Sequence, residues 1–243
     1  MSGAPIYVIG DIHGHADKLD HALDLIARDG GAEAEIVFLG DLVDRGPDSC
    51  GVIDRLVQGQ AEGRDWHVLR GNHDDLFARY LRNGAVHDDN VASGLGWLHS
   101  RIGGRPTLAS YGVEYAGGGS AAELLPVARA AVPSAHRAFL DELPLYHQRG
   151  ALLFVHAGIR PEVPLAEQSR DDLLWIRDPF LNHVAPHSWL VVHGHTALDA
   201  PRHYSNRLNM DGGAGYGRAL VPAVIEGRDV WALTVAGRMA LKP

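Results

Sequence analysis

A chain of 243 residues, 46% apolar and 21% charged, suits one globular domain with a large buried core. Its net charge of -8 argues against broad electrostatic binding to nucleic acid or anionic membrane. The one cysteine, Cys50, excludes an internal disulfide framework and fits a reducing compartment. The sequence has neither a signal-peptide pattern nor a run approaching the roughly 20 apolar residues of a membrane helix, so a cytoplasmic location is expected.

Residues 6–9 predict a first strand, and residues 16–28 a helix with Leu19, Ala22, Leu23 and Ile26 on one face. Residues 36–39 predict a second strand, followed by a helix over 49–58 with Val52, Ile53, Leu56 and Val57 on its apolar face. A third strand is expected at 66–69 and a helix at 74–81. Strand, loop and helix repeated three times imply a parallel sheet, with ligand sites at the carboxyl ends of its strands. The pattern weakens over residues 84–133, where glycines recur at 103–104 and 117–119 and short helices fit near 91–100 and 121–131. This stretch reads as a cap or insertion within a single domain spanning 1–243. A short helix at 134–142 precedes a strand-rich half: a hairpin from 145–148 and 151–155, then strands at 190–192, 207–210, 220–226 and 230–235. Two sheets stacked face to face, with helices outside, accommodate both halves.

Each of the first three strands ends in metal-ligand residue types. These are Gly10-Asp11-Ile12-His13-Gly14, Gly40-Asp41-Leu42-Val43-Asp44-Arg45-Gly46 and Gly71-Asn72-His73-Asp74. Asp11 and His13, two residues apart at a strand end, can grip one cation from one face. Asp41 offers a carboxylate able to bridge two cations, and Asn72 a neutral carbonyl oxygen. Later strands end at His156, before Ala157-Gly158, and at His193-Gly194-His195-Thr196. Carboxylates, an amide and imidazoles together suit Mn²⁺, Fe²⁺ or Zn²⁺ better than Ca²⁺.

These five motifs, in this order from Asp11 to Thr196, resemble the calcineurin-like metallophosphoesterases, and within them the bacterial phosphoprotein phosphatases. The resemblance implies an α/β fold, a four-layer α/β/β/α sandwich with a dinuclear metal site at the carboxyl ends of the strands. It implies that Asp11, His13 and Asp41 hold one metal, and that Asp41, Asn72, His156 and His195 hold the other. It also selects His195 over His193, because the family's ligand follows Gly and precedes Thr. His15, His67, His183 and His203 have no motif and read as surface or packing residues.

Two cations about 3.5–4 Å apart can present a bridging hydroxide for direct attack on phosphorus. Arg45 and Arg177, the latter in Trp175-Ile176-Arg177, are candidates to hold phosphate oxygens, since a planar guanidinium suits a phosphate. Arg177 has an alternative role as an ion-pair partner of Asp178 or Asp172. His73 is the candidate general acid, and Asp44 can hold its second nitrogen and favour the imidazolium. The expected activity is that of a Mn²⁺-dependent phosphomonoesterase, a serine/threonine protein phosphatase acting on phosphoproteins or phosphopeptides without regulatory subunits. Hydrolysis of dinucleoside polyphosphates is the alternative, weighed less because such relatives tend to lack an acidic residue at the position of Asp44. A metal-bound module without turnover is a third. Whether Arg70, Arg160 or Tyr216 touches the phosphate stays open in the sequence.

Overall fold

The computed structural model describes residues 4–91, 93–114 and 120–243. Strand alternation sets its layers. In β1 (Ile6–Ile9), Ile6 and Val8 face a second sheet while Tyr7 and Ile9 face helices, because successive strand side chains leave opposite faces. In β2 (Ile36–Phe38), Val37 takes the inner face and Ile36 and Phe38 the outer one. β1, β2 and β3 (Trp66–Val68) run parallel, with Tyr7 opposite Ile36 and Ile36 opposite Trp66. The crossovers are α1 (Ala16–Gly30), which buries Leu19, Ala22, Leu23 and Ile26, and α2 (Ser49–Ala61), which buries Val52, Ile53 and Leu56. After β3 comes α3 (Asn72–Asn83). α4 (Gly104–Ser110), α5 (Ala121–Ala131) and α6 (Ser134–Glu142) pack against α2 and α3.

The second sheet begins with the hairpin of β4 (Tyr146–Arg149) and β5 (Leu152–Val155). α7 (Arg170–Trp175), β6 (Leu190–His193), β7 (Arg202–Tyr204) and β8 (Arg207–Asn209) follow. The chain then returns to the first sheet through β9 (Ala223–Glu226), β10 (Asp229–Thr234) and β11 (Gly237–Ala240), with β9 antiparallel to β1. The strand orders are β11-β10-β9-β1-β2-β3 and β4-β5-β6-β8-β7. Between the sheets lies an apolar layer that includes Val8, Leu39, Phe154, Val192, Leu208 and Ile225. Each such side chain contributes about 1.5–3 kcal/mol by burial. Outside the second sheet, α7 and Phe180 cover Leu153, Val155 and Val191. The architecture is thus helices, sheet, sheet, helix. Among the described residues no helix is long and apolar enough to cross a membrane.

Three departures from the sequence reading have local causes. α3 starts at Asn72 rather than at 74, because the Asp74 carboxylate accepts from the Gly71 N–H at 2.8 Å and caps the first turn. The helix expected near 91–100 does not form over 93–100, where turns pass through Gly94, at φ 65°, and Gly96; Ala92 and the glycines 117–119 lie outside the described residues. β7 and β11 were not expected: each is short and at a sheet edge, and β11 is exposed throughout, so neither carries an apolar alternation.

Candidate metal centre and cleft

The candidate ligands sit where strands give way to loops: Asp11 and His13 after β1, Asp41 after β2, Asn72 at the start of α3, His156 after β5 and His195 after β6. The backbone is bent hard to place them. His13, Asp41, Asp44, Arg45 and His195 all have positive φ, between 50° and 74°. Non-glycine residues pay for that conformation, and such strain gathers at functional sites. The loops after β2 and β3 are pressed together at Gly40 and Gly71. A side chain on Gly71 would strike the backbone and carboxylate of Asp41, and one on Gly40 the Gly71 backbone. Asp74 ties the same loops by also accepting from the Leu42 N–H at 2.9 Å. Burial, then the nearby Asp41, pushes its carboxyl up to about 7.

Asp41 is central. One of its oxygens lies 3.5 Å from His13 Nε2 and the other 3.4 Å from His156 Nε2. The His73 N–H donates to it at 2.9 Å. Burial opposes ionisation of Asp41, but the surrounding imidazoles, His156 first, outweigh it and hold its carboxyl well below the usual range. Burial in turn opposes charge on the imidazoles: His13 and His195 are pushed well down, and His156 down. Their tautomers follow from the outer hydrogen bonds. His13 Nδ1–H donates to Val43 O and His156 Nδ1–H to Leu39 O, both at 2.9 Å. Each Nε2 is therefore a lone pair, oriented as a metal-binding histidine requires.

Around His156 Nε2 the neighbours are Asn72 Oδ1 at 2.8 Å and an Asp41 oxygen at 3.4 Å. Asn72 Oδ1 also lies 2.9 Å from His195 Nδ1. Acceptors converge here with no proton between His156 and either oxygen, an arrangement that a cation satisfies. Asp11 accepts from the His195 N–H at 3.1 and 3.2 Å, which joins the two ligand groups. Burial, then Asp211 and Asp41, pushes the Asp11 carboxyl well above its usual range, and burial raises Asp211 as well. Clustered buried carboxylates of this kind fit divalent cations, whose charge removes the conflict. The six candidate ligands are therefore brought together by the fold.

Beside them, His73 Nδ1–H donates to Asp44 at 2.7 Å. Asp44 is fully buried and accepts further from Trp97 Nε1 at 2.8 Å and Thr107 Oγ1 at 2.7 Å. Arg45 donates to His13 Nε2 at 2.7 Å and His73 Nε2 at 3.0 Å, and its guanidinium lies 4.8 Å from the Tyr216 ring centre. Arg45 and His73 open on a cleft of 330 Å³ that Asp41, Asn72, Trp175, Arg177, Asp211 and Tyr216 also line. Arg177 bonds Thr196 at 2.9 Å, while Asp172 is taken by Arg160 at 2.7 Å. Arg70 is buried and spent on Asp75 and the carbonyls of Leu140, Asp141 and Leu143, a packing role. His193 is a core residue against Phe180 and Arg207, held down to about 3 by burial.

Sequence reasoning missed Asp211, Trp97 and Thr107. Asp211 had a weak signal, an acidic residue before Gly212-Gly213 just past a short buried strand. Trp97 and Thr107 had none, since they reach Asp44 from 53 and 63 residues away.

The chain is similar to known proteins in sequence and in fold. The chain is 28% identical, over 240 residues, to the asymmetrical bis(5'-nucleosyl)-tetraphosphatase PrpE of Bacillus subtilis (strain 168), covering 88% of this chain and 87% of the relative. A crystal structure described as that of a candidate diadenosine tetraphosphatase superposes with a TM-score of 0.66 at 22% identity, covering 94% of this chain and 92% of the other. The cold-active protein-tyrosine phosphatase of a psychrophilic Shewanella superposes with a TM-score of 0.63 at 16% identity, over 98% of this chain and 80% of the other, so one fold carries different phosphate-ester substrates. The profile of the calcineurin-like phosphoesterases matches residues 4–217, and the chain belongs to that family.

Proposed function

We propose that the chain is a divalent-metal-dependent hydrolase of bis(5'-nucleosyl) tetraphosphates, splitting them into a mononucleotide and a nucleoside triphosphate. The observation that carries this reading is the match to a tetraphosphatase along 88% of the chain. It reverses the order in which the motifs alone ranked the substrates. Phosphoserine and phosphothreonine proteins become the second reading, favoured by the intact His73–Asp44 pair.

Asp11, His13 and Asp41 would hold one ion, and Asp41, Asn72, His156 and His195 the other. Mn²⁺ is our first choice for this mixed oxygen and nitrogen set, with Fe²⁺ and Zn²⁺ compatible. When bound, such a pair supplies water activation and neutralises phosphoryl charge. The protein's own groups do the rest. Arg45 on one side of the cleft and Arg177 on the other grip non-bridging phosphate oxygens, a task suited to planar guanidinium groups. To do so, Arg45 leaves His73 Nε2, which is then free to take up a proton from solvent and pass it to the leaving oxygen. Asp44 holds the opposite nitrogen and fixes the ring. Trp97 and Thr107 in turn fix Asp44, and both come from residues 84–133, which we read as a cap over the site. Tyr216, 63% exposed at the edge of the cleft, offers a ring face on which a nucleobase can stack.

The test is turnover of a diadenosine tetraphosphate against a phosphoserine peptide, each with Mn²⁺, with products separated by chromatography. We expect kcat/KM at least about tenfold higher on the dinucleotide, with mono- and triphosphate products. Two diphosphate products would refute the asymmetric cut. A preference for the peptide would restore the phosphoprotein reading.

A further inference from the structure

A second group of metal-ligating side chains lies where the last strands of the two sheets meet. Glu35 precedes β2, at the opposite end of that strand from Asp41. His67 lies on β3, the terminal strand of the six-stranded sheet, and His147 on β4, the terminal strand of the other. A Glu35 carboxylate oxygen and one ring nitrogen from each histidine all lie within 4.8 Å of one another. His67 Nε2 is 3.8 Å from Glu35 and 3.1 Å from Asp65. The two imidazoles stack with centroids 4.0 Å apart and planes 17° from parallel. His147 Nε2 is buried and has no hydrogen-bond partner.

Several features here call for a cation. A buried ring nitrogen without a partner is uncommon and calls for an explanation. Glu35 and Asp65 bring two negative charges, against which stands one guanidinium, Arg149, whose Nε lies 3.1 and 3.2 Å from the Glu35 oxygens. That leaves one negative charge, which one imidazolium or a bound cation can meet, since two imidazolium rings stacked this closely would repel. A carboxylate has about four acceptor positions, so Glu35 can serve Arg149 and an ion together. Two imidazoles and one carboxylate are a donor set that suits Zn²⁺, with Asp65 or water in the fourth position.

We propose that Glu35, His67 and His147 form a second, non-catalytic metal site of the Zn²⁺ class, which clamps β3 to β4 and so ties one sheet to the other. The site is independent of the cleft chemistry and goes beyond the proposed function. Closing it requires the stacked rings to splay until both nitrogens point at one ion.

The test loads metal-stripped protein with micromolar ZnCl₂, removes the excess, counts the ions, and records anomalous diffraction at the zinc edge. We expect three ions per chain, one between Glu35, His67 and His147, and two in His147→Ala. The variant should melt about 5 °C below the parent in zinc and together with it in chelator, with turnover unchanged. No ion between Glu35, His67 and His147 in the parent, an ion retained there in His147→Ala, or one seen there only at millimolar zinc would each overturn the proposal. A variant that melts lower in chelator as well would mean that the imidazole acts by packing alone, and would overturn it too.

Discussion

On the floor of the cleft, Asp41, Asp44, Asn72 and His73 are buried, and each polar group is held by named hydrogen bonds or by convergence on its neighbours. On the rim, Arg177 and Tyr216 are exposed, and Arg177 is held by a bond to Thr196. The floor is made from strand-end loops at positive φ, locked by Asp74 and by the Gly40–Gly71 contact. The difference separates two jobs. Chemistry on phosphorus needs charge placed to within a fraction of an ångström, so it is built where the backbone cannot relax. Under the proposed function, choice of substrate needs only surface within reach, which suits exposed side chains that can be exchanged without disturbing the floor.

Breaking the floor should have the largest effect. Asp41→Asn removes the carboxylate shared by both ligand groups, yet asparagine tolerates the left-handed φ of 51°, so the fold should stand. Loss of several kcal/mol of metal-derived stabilisation predicts at least a ~10³-fold drop in kcat. Elemental analysis should show depleted metal. Chelator should do the same to the parent, with recovery best in Mn²⁺. Cys50→Ser is the control: burial pushes that thiol up to about 11 and it lies outside the cleft, so turnover should not move. A metal-depleted Asp41→Asn protein that still turns over would remove the dinuclear reading.

The next effect should depend on the leaving group. If His73 protonates the departing oxygen, His73→Asn should cost about 10²–10⁴-fold in kcat on an alkyl phosphate such as phosphoserine. A phosphate oxygen leaving from a polyphosphate is far less basic, so the loss there should be under about tenfold. Equal losses on both substrates, with metal content intact, would recast His73 as a phosphate binder and blur the line between floor and rim.

The smallest effect belongs to the rim. Base–aromatic stacking contributes about 1–3 kcal/mol. Tyr216→Ala should therefore raise KM for a dinucleoside tetraphosphate by about tenfold, with kcat within about twofold. On a phosphate ester lacking a base, KM should stay put. A change in kcat instead would place Tyr216 among the groups that position Arg45, its neighbour at 4.8 Å.

The candidate residues of the floor stand out in the sequence for a reason rooted in strand geometry. Buried strands carry continuous apolar runs, and a glycine followed by Asp or Asn at their ends marks where the backbone must turn sharply. That was enough to single out Asp11, Asp41 and Asn72 as candidates; the ends of later strands added His156 and the His193/His195 pair, and the strand-rich second half suggested the stacked sheets. Substrate is what local pattern does not encode. The phosphoprotein reading came from the motif resemblance, with Asp44 setting the dinucleotide reading lower; the proposed function reverses that order on the similarity to tetraphosphatases along most of the chain.

What the sequence by itself determined is the set of strand ends and the chemical types placed on them, because apolar runs, glycines and ligand residues lie side by side along the chain. Tertiary structure alone decided the company those residues keep. Trp97 and Thr107 meet Asp44 only once α4 has packed against α2. Asp211 joins Asp11 only when the two sheets stack and press Met210 against Gly10. Glu35, His67 and His147 become neighbours only when two sheets close over a shared apolar layer. None of these meetings has a period or a spacing to read, since each is fixed by how the layers pack rather than by neighbours in the chain.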